Sequence, residues 1–280
     1  MFAIKKKSMN YFKKIYYQFF DQVKFIKNPN KVNKYKVFRK IKIKGKDVLI
    51  LTAFNENYDK IANHSVKSIK KYSNFFKFRF QIDKIPKSYN KAAAWYKVDM
   101  ILKALEKNKN KIIVWIDSDA LFLKKVDLRS ELDNFHDLYC VSHDVTIKRS
   151  TGYKNIFFNI PRPNTGFLII KNSTFNLNLF KNLLKKRQYY NSGWWDNSAF
   201  LDILELNAEI KNDLNMHRGN LKLLKKIKFL TLDWNSIPSI LNNKLSTESI
   251  SPIILHFAGY PVDGKIDIYK KFLNDKKLLI

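Results

Sequence analysis

The sequence predicts an α/β domain whose central sheet is mainly parallel and flanked by helices. Three observations lead there. Two short apolar runs, at residues 48–51 and 112–116, have the continuity of strands covered on both faces, and each stops at small or polar residues. Between them the chain passes through helix, strand and helix patterns, the order that builds a parallel sheet. A third run, GFLII at 166–170, repeats the buried-strand signature behind a stretch of loop formers. At 280 residues and 45% hydrophobic content, one large core is within reach. One domain from 47 to 280 is expected, preceded by a basic extension over residues 1–46.

The extension holds fourteen lysines and Arg39 against one acid, Asp21, about half of the chain's formal excess of +29. Phe12, Ile15, Tyr16, Phe19, Val23 and Ile26 recur at three- and four-residue steps with lysines on other faces, which predicts a basic amphipathic helix ended by Asn28-Pro29-Asn30. Such a helix either docks on an anionic membrane surface or a partner, or packs on the domain. The domain opens with a strand over 47–55, DVLILTAFN. Val66 and Ile69 give helical spacing to 63–72, and 75–82 alternates like a short strand. Ala94, Val98, Ile101, Leu102 and Leu105 form one face of a helix over 91–105, with Trp95 and Lys97 near its start. The central strand of 111–123 comes next. Gly152, Pro161 and Pro163 mark 149–163 as loops. Asn172 and Ser173 end the 166–170 strand and cap the segment after it. Trp194, Trp195 and Asp196 lead into a helix with Phe200, Leu201 and Leu204 on one side. A last apolar stretch, 253–257, holds His256 as its one polar member, and Ile268, Tyr269, Phe272 and Leu273 close the chain as a helix.

The charge invites a nucleic-acid reading, because clustered Lys and Arg neutralise phosphates. The lysines, however, accompany abundant Asn, Ile, Phe and Tyr, all residues of AT-rich codons, and no zinc-finger spacing, Gly-rich phosphate loop or basic-region heptad joins them. No dedicated nucleic-acid binding is expected. Cys140 is the only cysteine, which excludes an internal disulfide and fits a buried thiol in a reducing, cytoplasmic setting. No stretch has the ~20 apolar residues of a membrane span, and no signal-peptide core comes after the first lysines. Peripheral contact with an anionic membrane remains open.

The stretch around which the chain is organised is KIIVWIDSDALFL, 111–123. A buried strand ends in Asp117-Ser118-Asp119, and ligands of open α/β sheets collect beyond such strand ends. If strand geometry persists, Asp117 and Asp119 point the same way with Ser118 opposed. Two hard oxygen ligands on one side suit Mg2+ or Mn2+, and the metal in turn holds a diphosphate. Phosphatase-like chains also carry D-x-D after a strand, but in a hhhhDxDxT pattern. Leu121 stands at the Thr position here.

In order, LTAFN at 51–55, AAWYKV at 93–98, WIDSDALF at 115–122, NTGFLIIKNS at 164–173, WWDNSAF at 194–200 and HFAGY at 256–260 resemble the GT-A glycosyltransferases that use nucleotide sugars. Within that group they are most similar to the family of fungal α-galactosyl- and α-mannosyltransferases and plant xyloglucan xylosyltransferases. Asn197 stands where that family usually has Gln, and the transmembrane anchor of its eukaryotic members has no counterpart in the sequence. The resemblance implies a GT-A, Rossmann-like fold with a mixed, mainly parallel sheet, and transfer from a UDP- or GDP-sugar to a glycan acceptor with retention of configuration. The competing reading is a basic membrane- or nucleic-acid-binding adaptor with a degenerate sugar-nucleotide fold.

The same resemblance implies the roles of single residues. Asp119, Asp117 and His256 would hold Mn2+ (or Mg2+), and Asp117 would also reach the ribose. Thr52, Ala53 and Phe54 would meet the base. Lys97 would lie near the diphosphate or sugar, with Trp95, Ser118 and Gly259 also on the donor side. Asn164, Thr165 and Gly166 would line the donor sugar or the acceptor entrance. Asp196 would be the catalytic carboxylate that faces the reacting sugar, where an oxocarbenium-like transition state is stabilised by negative charge. Whether it acts as a nucleophile or as a fixed charge stays open.

Overall fold

The computed structural model describes residues 39–143, 145–150, 155–191, 193–206, 219–241 and 244–274. The expected helix over 12–26 and its break at 28–30 lie outside them.

The apolar run at 48–51 grows into β1 (Val48–Phe54). The helical pattern after it is α1 (Asp59–Phe76), longer than its apolar spacing indicates. It ends where Lys77 adopts a left-handed backbone, φ 57, and Phe78 N–H closes back onto Ser73 O. Phe75 and Phe76, expected in a strand, therefore belong to the helix, and β2 begins only at Arg79 (Arg79–Lys84). Next come α2 (Tyr96–Glu106), β3 (Ile112–Ile116), β4 (Ala120–Phe122) and β5 (Leu138–Ser142). The stretch expected to be loops, 149–163, instead contributes to a hairpin of β6 (Val145–Ser150) and β7 (Asn155–Ile160). The sequence there is rich in Val, Ile and Phe, residues that favour strands, and Gly152 lies outside the described residues.

The third apolar run becomes β8 (Pro163–Lys171), and α3 (Thr174–Lys185) starts behind Ser173, whose side chain accepts from Asn176 N as a helix cap. Then come α4 (Trp195–Ile203), the single turn α5 (Leu221–Leu224), β9 (Ile227–Leu230), and the pair β10 (Pro238–Leu241) and β11 (Lys244–Thr247). β12 (Ile254–His256) and α6 (Val262–Asn274) close the described chain.

Six strands form one sheet in the order β2-β1-β3-β8-β5-β9. Pairings are parallel except on the two sides of β8, which runs against its neighbours. The expected mixed, mainly parallel sheet is present. Its strands β1, β3, β8 and β5 are apolar on both faces because both are covered, whereas the edge strand β2 is largely exposed. Leu51, Ile113, Trp115, Leu168 and Cys140 meet Val98, Ile101, Leu179 and Phe200 of the helices on one side. Ile50, Val114, Ile116, Ile169 and Tyr139 meet Ile69, Tyr72 and Trp234 on the other. Cys140 is buried, and burial pushes its thiol up, far from reactivity. Among the described residues no helix is long and apolar enough to cross a membrane.

The sheet interior sets a stability expectation. Ile113 is 0% exposed in the central strand, so Ile113→Ala should cost roughly 2–5 kcal/mol in chemical unfolding. A loss below 1 kcal/mol would contradict the close packing on that face.

Candidate active site

Because β8 is antiparallel, its first residues lie beside the carboxyl end of β3. Asp117 N–H donates to Gly166 O at 2.8 Å, joining the end of one strand to the start of the other. The chain does not continue straight beyond Ile116. It turns, with Ala120 N–H donating to Asp117 O at 3.0 Å, and re-enters as β4, which pairs antiparallel with β12. Ala120 faces His256 in that pairing, and Phe257 N–H donates to Asp119 O. The two carboxylates thus converge through a turn rather than through a persisting strand, and His256 is delivered to them by an adjacent strand. Ligand atoms of Asp117, Asp119 and His256 lie within 4.8 Å of one another. His256 Nε2 is 3.4 Å from Asp119 Oδ1 and 3.7 Å from Asp117 Oδ2.

The outward oxygens of the same carboxylates are held by cations and donors. Lys265, from α6, grips Asp119 Oδ2. Trp115 Nε1 (2.6 Å) and Lys97 Nζ (3.1 Å) take Asp117 Oδ1. Lys97 also bonds Asp196 Oδ2 at 3.0 Å and Thr165 Oγ1 at 3.2 Å, and Thr165 Oγ1 donates to Asp196 Oδ2 at 2.8 Å. Asn197 Oδ1 accepts from Thr165 N. Asp196 is 4% exposed in the first turn of α4, but its carboxylate serves Lys97 and Thr165, and no side chain caps that helix.

All of this opens onto a cleft of about 950 Å3. Its wall also carries Arg162, His143 and Glu248, with the Arg162 guanidinium 3.6 Å above the Trp194 ring and His143 Nδ1 2.9 Å from Glu248 Oε2. Trp194 and Trp195 remain 47% and 45% exposed, with positive φ of 67 and 40.

The sequence profile of the nucleotide-diphospho-sugar transferase family matches residues 46–266. The chain belongs to that family. It is a glycosyltransferase, and three similar solved structures are glycosyltransferases too. A glycosyltransferase involved in the glycosylation of the major capsid of PBCV-1 superposes at TM-score 0.55 and 11% identity over 80% of this chain and 98% of its own, which shows the fold. Galactosyltransferase LgtC, solved with donor and acceptor sugar analogs, aligns at TM-score 0.42 and 13% identity over 80% and 95% of the two chains. GlyE of Streptococcus pneumoniae aligns at 0.41 and 14% over 83% and 65%. Comparison with curated proteins finds no significant match.

Within the transferase's cleft stand Ala53, Phe54, Lys97, Asp117, Ser118, Asp119, Asn164, Thr165, Gly166, Asp196, His256 and Gly259, the last at φ +79. Thr52 and Trp95 do not reach its wall. Both are 0% exposed; Thr52 sits inside β1 opposite Ile82, and Trp95 donates from Nε1 to Tyr189 O with its ring against Tyr190. Sequence reasoning missed Lys265, Arg162, His143 and Glu248, none of which carries a local motif.

The electrostatics arise from burial and pairing. Burial pushes the Asp119 carboxyl up, but His256 and Lys265 outweigh it and hold the group well below the usual carboxylate range. Burial opposes charge on Lys97 and Lys265, yet their carboxylate partners raise both ammonium groups. The Asp196 carboxyl is raised, mainly by burial and also by Asp117, against the pull of Lys97 and Thr165.

Removing the ammonium from Lys265 tests this balance. With a chelator present at pH 7, Lys265→Met should destabilise the protein by roughly 3–5 kcal/mol, the cost of an unpaired buried carboxylate. Asp119 has a depressed folded value, so its contribution is present above the unfolded carboxylate value near ~4 and is lost as pH falls through the folded one. The gap between wild type and variant should therefore narrow below pH ~4. A gap independent of pH in urea titrations would refute the pairing.

Proposed function

We propose that this glycosyltransferase uses a divalent cation, Mn2+ or Mg2+, to bind a UDP- or GDP-sugar and passes the sugar to a glycan hydroxyl with retention of configuration. The observation that carries the reading is the convergence of Asp117 Oδ2, Asp119 Oδ1 and His256 Nε2 at one end of the cleft, next to the buried Lys97–Asp196 pair. Two carboxylate oxygens and one imidazole nitrogen are a donor set suited to Mn2+. A cation there would neutralise the diphosphate and the charge that builds on it as it leaves.

The chain's own residues supply the rest. Ala53 and Phe54 at the end of β1 offer an apolar wall for a base, beside Asn55. Lys97 sits between Asp117 and Asp196, so one ammonium spans the diphosphate end and the sugar end of the cleft. Asp196, desolvated and fixed by Lys97 and Thr165, presents negative charge where a sugar cation develops. The exposed Trp194 and Trp195 rings flank that position and suit the apolar faces of sugars. The ordered motifs from 51 to 260 favour the branch of fungal α-galactosyl- and α-mannosyltransferases and plant xylosyltransferases. The lysines of residues 1–46 support attachment of a cytoplasmic enzyme to an anionic membrane surface.

Two measurements test the reading. Isothermal titration with UDP and GDP should show Mn2+-dependent binding of one nucleotide, abolished by chelation and by Asp119→Ala; undiminished binding by that variant in Mn2+ sinks the metal assignment. Asp196→Asn keeps size while removing charge, so donor affinity should hardly change while turnover falls about a hundredfold, ~2.7 kcal/mol of barrier. Unchanged turnover would remove Asp196 from the chemistry.

A further inference from the structure

His256 is tied to the rest of the site by a chain of side-chain amides whose polarity one backbone group decides. Gly166 N–H donates at 2.7 Å to the side chain of Asn164, so the Asn164 atom there is its carbonyl oxygen. The Asn235 atom 3.0 Å from that oxygen must then be the amide nitrogen Nδ2. The remaining Asn235 atom, 2.8 Å from His256 Nδ1, is Oδ1, which only accepts. We infer that Asn235, oriented by Asn164, fixes His256 with its proton on Nδ1 and turns Nε2 toward Asp117 and Asp119, which makes Asn235 a positioning residue of the cation site. The inference rests on the metal reading for its purpose, though not for its geometry.

The opposite tautomer is disfavoured at Nδ1. It would set the Nδ1 lone pair against Asn235 Oδ1 at 2.8 Å, two acceptors facing each other among residues that are 0% (Asn235) and 2% (His256) exposed. Without a cation, Nε2 faces carboxylate oxygens of Asp119 and Asp117 at 3.4 and 3.7 Å, and a bound metal would need its lone pair there, so the Asn235 contact at Nδ1 is what sets the ring's orientation. The backbone holds the partners in register: Ser236 N–H donates to Ile254 O and His256 N–H to Ser236 O, each at 2.9 Å, so Asn235 rides beside β12. The ring is confined from the remaining direction by Gly166, where an added Cβ would come within 2.1 Å of His256 Cε1. Aspartate at position 235 would still accept from Nδ1, but it has no donor for Asn164. Asparagine meets both demands without adding a buried charge.

The experiment has two arms on the full chain. In the first, 15N-histidine NMR of metal-free protein should show a proton on His256 Nδ1; an Nδ1 without one overturns the inference whatever the metal does. In the second, Mn2+ alone is titrated and followed by its electron paramagnetic resonance. Asn235→Leu should weaken Mn2+ binding about 10- to 100-fold, and Asn235→Asp should stay within a few-fold of wild type. Asn164→Ala should weaken it less and add nothing to Asn235→Leu in the double variant. A folded Asn235→Leu that binds Mn2+ like wild type, or equal losses in the Leu and Asp variants, would overturn the positioning role. Wild-type protein that fails to bind Mn2+ while showing the Nδ1 proton would sink the metal reading and leave the tautomer assignment standing.

Discussion

The bond from Asp117 N–H to Gly166 O is the joint on which the site depends. It forms because β8 enters the sheet against the direction of β3 and β5. In a wholly parallel sheet, the residues that precede an apolar strand would lie at the end opposite the strand-terminal carboxylates. Reversing one strand brings Asn164, Thr165 and Gly166 to the carboxyl end of β3, within reach of Lys97, Asp196 and His256. The absence of a side chain at Gly166 then lets β12 approach closely enough for its histidine to join the aspartates. Fold and site are coupled through a few ångströms of backbone.

The chain's large positive charge has little to do with how the cleft is built. Inside it, each buried ammonium is matched by carboxylates: Lys265 by Asp119, Lys97 by Asp117 and Asp196. Such pairs recover their desolvation only in good geometry and add little net stability. What they do is hold oxygens in place. Each lysine occupies one oxygen of an aspartate and leaves the other facing His256, so the pairing fixes the carboxylate planes that the proposed cation requires.

The parts of this arrangement that were legible in the sequence are those carried by contiguous residues. An apolar run ending in Asp-Ser-Asp announces itself, as do Asn-Thr-Gly ahead of a strand and a lone histidine in an apolar stretch. Asn235, Lys265, Arg162 and Glu248 carry no such signal, because each is brought in by tertiary pairing from a segment with no motif of its own. Adjacency also misled. Trp95 and Lys97 sit in one motif, but Trp95 belongs to a short 3-10 turn (Ala93–Trp95) ahead of α2, and while Lys97 faces Asp196, Trp95 is buried in the core.

Trp194 and Trp195 share a backbone conformation that L-residues with large side chains avoid, and residues so held cost about 1–3 kcal/mol each. The turn persists through bonds around it, Ser198 Oγ to Gly193 O and Asn197 N–H to Trp194 O. Glycine at either place would relax the backbone and strip an indole from the cleft. With the indoles meeting a sugar as proposed, selection for thermal robustness and selection for grip on the substrate would pull in opposite directions at these two positions. On that proposal, a thermostabilised descendant that lost its indoles would be a sturdier protein and a poorer catalyst.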